Sequence, residues 1–177
     1  YAVINFLKEN GYSKISFFGR SRGAFCGVYA ASKFPELVSV ALDSPEINCD
    51  EEDEEEEEEI EISHNLHIPK EKIVELMPKV FKKIFEDIGI DFIKNYDDER
   101  PEENINQPII VLHGINDKCI PFSNSEKLIK IVKSKEKMLI SFKGGHNSYQ
   151  RRYYYPKMFY FIVKYSGSNI SELDYNK

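Results

Sequence analysis

A Gly-x-Ser-x-Gly stretch, Gly19 to Gly23, constrains the fold of this chain more than any other feature. It follows the apolar run Ile15 to Phe18, which is typical of a buried strand, and it leads into Gly23 to Phe34, which predicts a helix. A serine in such a turn takes a strained backbone conformation that exposes its hydroxyl at the tip. We expect the flanking glycines to let the strand and the helix approach closely. The spacing therefore predicts a nucleophile elbow around Ser21.

Strands and helices alternate along the chain on both sides of this turn. A helix is predicted over Ala2 to Lys8, and Ser123 is expected to cap a later helix with Glu126 as its capping-box partner. Further strands are predicted at Leu37–Leu42, Pro108–His113 and Lys137–Phe142, and further helices at Pro69–Ile88, Ser123–Ser134 and Tyr155–Tyr165. This alternation predicts an α/β fold, with a parallel sheet of about four strands flanked by helices.

Three chemically active residues each follow a different predicted strand: Ser21, Asp117 and His146. The carboxyl ends of parallel strands share one edge of the sheet, so we expect these side chains to meet there. A serine hydroxyl needs a base to take its proton, and the base needs an orienting carboxylate. Taken singly, a serine or aspartate in a turn and a histidine in a loop are commonly structural. Asp43 also ends a strand and is an alternative to Asp117 as the acid.

Charge is concentrated in one short segment. The chain has a net charge of −6, but the run Asp50 to Glu59 alone carries ten negative charges, so the remainder is mildly basic. Like charges at this density repel one another and bury nothing, which predicts a solvated, low-complexity loop; an acidic docking segment is the alternative. The charge pattern gives no reason to expect a nucleic-acid partner.

The cysteines and histidines suggest no cofactor. Cys26, Cys49 and Cys119 are few and widely spaced, which favours free thiols in a reducing compartment such as the cytoplasm. His64 and His67 lie close to the acidic run, but no third ligand stands at a diagnostic spacing, so we expect neither a metal nor a cofactor. No apolar run approaches the roughly 18 residues of a transmembrane span.

The blocks GRSRGAFCGVYAA, VALDSPEIN, IIVLHGINDKCIPF and KGGHNS resemble those of the α/β-hydrolase superfamily. They are most similar to the branch often described as serine aminopeptidase-like or BEM46-like hydrolases. The resemblance implies that Ser21 is the nucleophile, Asp117 the orienting acid and His146 the base, and that the backbone N–H of Arg22 donates to the oxyanion. Methionine is usual where this chain has Arg22, so we expect a changed pocket or a preference for anionic groups.

That superfamily has several strands before the elbow, including the turn that supplies a second oxyanion donor. We therefore expect residues 1–177 to be a single, incomplete carboxyl-terminal α/β-hydrolase domain, with an acidic loop at 50–59 and a helical, lid-like insert at 60–107. The leading hypothesis is a serine hydrolase that cleaves an ester, thioester or amide of a small-molecule, lipid or acyl-peptide substrate. The alternative is a truncated, inactive scaffold that acts as a binding protein.

Overall fold

The computed structural model describes residues 1–47, 69, 72 and 100–167. The elements in these ranges are α1 (Ala2–Glu9), β1 (Ser16–Arg20), α2 (Arg22–Lys33), β2 (Ser39–Asp43), a 3-10 helix (Pro101–Asn104), β3 (Ile109–Gly114), α3 (Phe122–Ile131), β4 (Lys137–Phe142), a second 3-10 helix (Tyr149–Tyr153) and α4 (Tyr155–Ser166). The acidic run 50–59, most of the helix predicted over 69–88 and most of the insert predicted over 60–107 lie outside the described residues.

The four strands form one parallel sheet in the order β1-β2-β3-β4. The register runs from Ser16 opposite Ser39 to Arg20 opposite Asp43 in the first pair of strands. Because every strand runs in the same direction, all four carboxyl ends lie at one edge of the sheet. The predicted α/β class and the parallel sheet are therefore confirmed.

The two central strands are buried along their whole length, as expected for strands covered by helices on both faces. Successive side chains of β2 point to opposite faces, so Ala41 packs on the α4 side while Leu42 faces Gly27 of α2. The cluster beneath α4 contains Ala41, Ile110, Leu112, Ile140, Phe142, Met158 and Phe161. This core fixes the positions of the strand ends. None of the helices in the described ranges is long and apolar enough to cross a bilayer.

The start of α3 differs from the prediction. The helix begins at Phe122 with Pro121 as its N-cap, and no side chain caps it. The predicted capping box of Ser123 and Glu126 is therefore wrong. Ser123 already lies inside the first turn, so it cannot take the N-cap position; the neighbouring Asn124 is buried and accepts a hydrogen bond from the backbone N–H of Ile47 at 3.0 Å.

The two glycines that flank Ser21 have different roles. A Cβ atom added to Gly19 would overlap the backbone carbonyl of Gly23 and would lie 2.8 Å from a ring carbon of Phe17. A Cβ atom added to Gly23 would meet no described atom within 4 Å. The expected close approach of strand and helix therefore requires glycine at position 19, whereas the same expectation for position 23 is wrong.

We predict opposite effects on stability when each glycine is replaced by alanine. Gly19→Ala forces the elbow apart and should lower the free energy of unfolding by about 1–3 kcal/mol. Gly23→Ala, the matched control in the first turn of α2, should raise it by up to about 1 kcal/mol because alanine favours a helix. Urea denaturation of both variants measures the difference, and equal destabilisation would contradict this account of the elbow.

Candidate active site

The structure brings the three predicted residues together at the carboxyl edge of the sheet. The hydroxyl of Ser21 lies 3.0 Å from Nε2 of His146. Nδ1 of the same imidazole lies 2.8 Å from Oδ2 of Asp117. Ser21 follows β1, Asp117 follows β3 and His146 follows β4, so each side chain is delivered by the end of a different strand.

The backbone at Ser21 is strained. Its φ of 53° and ψ of −123° lie in a region that residues with a side chain rarely adopt, at a cost on the order of 1–3 kcal/mol. The surrounding hydrogen bonds hold it there: the Ser21 N–H donates to the carbonyl of Asp43 at 2.8 Å, and the Ser21 carbonyl accepts from Ala24 and Phe25. The hydroxyl is therefore fixed at the tip between β1 and α2.

Asp117 is a buried carboxylate with many donors. Oδ1 accepts the backbone N–H groups of Cys119 and Ile120 at 3.0 and 3.1 Å, and Oδ2 accepts from the imidazole of His146. Burial alone would raise the pKa of Asp117, but the hydrogen bonds from His113, His146 and Ile120 outweigh it and hold that pKa well below its usual value. The carboxyl group is therefore ionised throughout the neutral range.

An ionised Asp117 determines which nitrogen of His146 carries the proton. A carboxylate only accepts hydrogen bonds, so Nδ1 of a neutral His146 must be the donor. Nε2 is then an acceptor and can take the proton of the Ser21 hydroxyl. The His146 side chain is 12% exposed and the Asp117 side chain is fully buried. Of these two side chains, the imidazole is therefore the one in contact with solvent.

His113, at the end of β3, supports Asp117 from inside the protein. It is fully buried, and its Nε2 donates to the carbonyl of Ile120 at 2.9 Å, while its Nδ1 accepts from the hydroxyl of Ser125 at 2.6 Å. Nε2 also lies 3.4 Å from Oδ2 of Asp117. The sequence pattern identified His113 only as the last residue of an apolar strand.

Asp43, the alternative acid, binds arginine instead of the catalytic histidine candidate. Both of its carboxylate oxygens accept from Nη1 of Arg151 at 2.7 Å, and the Tyr155 hydroxyl donates to Oδ2 at 2.8 Å. Nη2 of Arg151 donates to the backbone carbonyls of Gly145 and His146. Asp43 therefore reaches the loop that carries His146 through the guanidinium of Arg151.

Arg20, the last residue of β1, is a second support of that loop. Its Nη2 donates to the backbone carbonyl of His146 at 2.6 Å and to Oδ1 of Asn147 at 3.0 Å. Its Nε lies 3.6 Å from Asp43. Two arginines thus hold one carbonyl of the histidine loop. Neither role was predicted from the sequence, where Arg20 entered only as a residue of the GRSRG block.

One group of potential metal ligands occurs in the described part of the chain. Asp117, Cys119 and His146 each offer one ligand atom, and these atoms all lie within 4.8 Å of one another. His64 and His67, considered as ligands from the sequence, lie outside the described residues.

Comparison with known proteins gives a family and a fold. Residues 1–152 match the family model described as "Serine hydrolase (FSH1)". No curated protein matches the chain.

Several solved structures are similar. Monoacylglycerol lipase of Paleococcus ferrophilus is 19% identical with a TM-score of 0.57, and the match covers 92% of this chain and 73% of the lipase. The esterase Pf2001 of Pyrococcus furiosus is 17% identical with a TM-score of 0.64, covering 93% of this chain and 59% of the esterase. Others are described as α/β hydrolases. At these identities the likeness shows the α/β-hydrolase fold, and this chain spans only part of it.

We predict that the Arg151–Asp43 pair stabilises the fold strongly. Arg151→Met removes the cation that contacts the buried Asp43 at 2.7 Å and leaves only the more distant Arg20, so it should lower the free energy of unfolding by about 3–5 kcal/mol. Arg152→Met is the matched control, because Arg152 is exposed and stacks on Tyr149 at the surface, so the change should alter the free energy by less than about 0.5 kcal/mol. Urea denaturation checks both values, and similar losses in the two variants would contradict the prediction.

We predict a distinct acid dependence for Asp117. Its pKa is lower in the folded than in the unfolded chain, so its contribution to stability is complete above the unfolded value and is lost as the pH falls further. The difference in unfolding free energy between the wild type and Asp117→Asn should be constant above about pH 5 and should shrink below about pH 4. Denaturation curves across this range test it; a difference independent of pH would argue against the ionised carboxylate.

Proposed function

The chain belongs to the serine hydrolase (FSH1) family, and on that premise we propose that it cleaves an ester, thioester or amide through an acyl-enzyme on Ser21. The observation that carries the proposal is the continuous line of hydrogen bonds from the Ser21 hydroxyl through His146 to Asp117, at 3.0 and 2.8 Å. Nucleophile, base and orienting acid are the roles that acyl transfer needs in this order.

The acylation step follows from the protonation states of the site. The Ser21 oxygen attacks the substrate carbonyl carbon while Nε2 of His146 takes the hydroxyl proton. The imidazolium that results is stabilised by the ionised Asp117. When the tetrahedral intermediate collapses, the leaving alcohol, thiol or amine receives the proton from Nε2 and departs. Water then attacks the acyl-enzyme with His146 again as the base, which releases the acid and restores Ser21.

The oxyanion is assigned to the amino end of α2. Arg22 begins this helix directly after Ser21, and the first N–H groups of a helix point away from its body. A negative oxygen there also interacts favourably with the helix dipole. Because the donor is the backbone, a change of the Arg22 side chain leaves this role intact. One such donor is typically worth about 100–1000-fold in rate.

Esters are the substrate class that the neighbours favour. The similar structures include esterases and a monoacylglycerol lipase, so we place small-molecule and lipid esters ahead of amides and acyl-peptides for this chain. The exposed Arg22 side chain beside the nucleophile favours a substrate with a negatively charged group. Membership of the serine aminopeptidase-like or BEM46-like branch, and the lid-like role of residues 60–107, stay predictions from the sequence.

Labelling by a fluorophosphonate probe tests the proposal in the full-length protein. The wild type should be labelled, Ser21→Ala and His146→Ala should lose labelling by at least about 10³-fold, and Asp117→Asn should slow it by about 10³–10⁴-fold. Ser123→Ala, which alters an exposed serine away from the strand ends, is the control and should label like the wild type.

Two outcomes would overturn the assignment. Labelling that survives in Ser21→Ala would mean that another nucleophile reacts. A folded wild-type protein that does not label, and that hydrolyses no ester, would favour the alternative of an inactive scaffold that binds a partner.

A further inference from the structure

Cys119 introduces a third type of metal ligand beside the Asp117–His146 pair. Its thiol sulfur, a carboxylate oxygen of Asp117 and a ring nitrogen of His146 all lie within 4.8 Å of one another. Thiolate, imidazole and carboxylate are the ligands that Zn²⁺ takes in proteins. We propose that these three side chains bind Zn²⁺ and that the bound ion inhibits the hydrolase. The inhibition rests on the proposed function, whereas the binding does not.

The ligand atoms reach zinc distances after a rearrangement of the side chains. Tetrahedral Zn²⁺, with bonds of about 2.0–2.3 Å, holds its ligand atoms about 3.3–3.6 Å apart, so a pair at the 4.8 Å limit must close by about 1.2–1.5 Å. His146 Nδ1 and Asp117 Oδ2, which a hydrogen bond holds 2.8 Å apart, must instead separate by about 0.5–0.8 Å, so an ion bound to Nδ1 replaces that hydrogen bond. The backbone N–H groups of Cys119 and Ile120 bind the other oxygen of Asp117 and keep the carboxylate oriented, as partners of metal ligands commonly do.

Charge and exposure also fit the ion. A thiolate and a carboxylate supply two negative charges, which balance one Zn²⁺ together with a neutral imidazole. Cys119 and His146 are both partly exposed, so the ion has a route from solvent. Three protein ligands leave the fourth position for water. A site with a thiolate prefers Zn²⁺ over Mg²⁺, which takes oxygen ligands.

Zinc binding prevents His146 from accepting the proton of Ser21, and so from acting as the base. The thiol of Cys119 releases its proton to solvent when the sulfur binds the metal. If the metal takes Nδ1, the ring proton moves to Nε2, which can no longer accept the proton of Ser21. If the metal takes Nε2 instead, it occupies the lone pair that faces Ser21 directly. Either geometry stops acylation while leaving the nucleophile in place.

Zinc titration of chelator-treated, full-length protein tests the inhibition. We expect the fluorophosphonate labelling rate of the wild type to fall at least tenfold with Zn²⁺, to recover with EDTA and to be insensitive to Mg²⁺. Cys119→Ala and Cys119→Ser, each compared with its own zinc-free rate, should need at least tenfold more zinc for the same inhibition. Cys26→Ala, at an exposed cysteine on α2, is the matched control and should behave like the wild type.

Binding of Co²⁺ in place of Zn²⁺ gives a readout that needs no activity. Thiolate ligation should produce a sulfur-to-cobalt charge-transfer band in the wild type and in Cys26→Ala that is lost in both Cys119 variants. Equal zinc sensitivity in the wild type and the Cys119 variants, or a cobalt band that persists without Cys119, would overturn the proposal. If the zinc-free wild type does not label, the proposed hydrolase function fails, and the cobalt band still decides whether the metal site exists.

Discussion

Asp43, the last residue of β2, has no chemical role in the proposed mechanism, but the geometry of the site depends on it. Its backbone carbonyl accepts the N–H of Ser21, and its carboxylate accepts the guanidinium of Arg151. Arg151 in turn holds the carbonyl of His146. One buried residue at the end of a central strand therefore sets the position of Ser21 through its backbone and that of His146 through its side chain.

Two carboxylates lie at this edge of the sheet, and their surroundings give them different tasks. Asp43 is paired with a permanent cation, so its charge is used to hold a loop. Asp117 faces two imidazoles and two backbone N–H groups, which keep it ionised without a permanent positive partner. Its negative charge is therefore available to stabilise an imidazolium on His146. A buried guanidinium in place of those donors would also keep Asp117 ionised, but its positive charge would offset the negative charge of the carboxylate.

The sequence predicted the residues of the site better than the contacts that hold them. Ser21, Asp117 and His146 could be placed because strand ends share an edge, and this geometry follows from alternating elements alone. Arg151 could not, because its position follows no strand and its partner is 108 residues away along the chain. The sequence pattern made Asp43 an alternative acid, because the position of a carboxylate at a strand end does not reveal whether its partner is a histidine or an arginine. Ser123 is not the cap because α3 begins one residue earlier, at Phe122, which places Ser123 inside the first turn.

The hydrogen bond between Ser21 and His146 joins residues 125 positions apart, and the ion pair of Asp43 with Arg151 closes a loop almost as long. Contacts of such large sequence separation carry a high entropic cost of closure and form slowly relative to local helices and turns. The turn at Ser21 lies between the neighbouring β1 and α2, whereas the hydrogen bond to His146 also needs β4 in the sheet. We therefore expect the contact that prepares Ser21 for the proposed chemistry to form late in folding, so that a partly folded chain holds Ser21 without its partner.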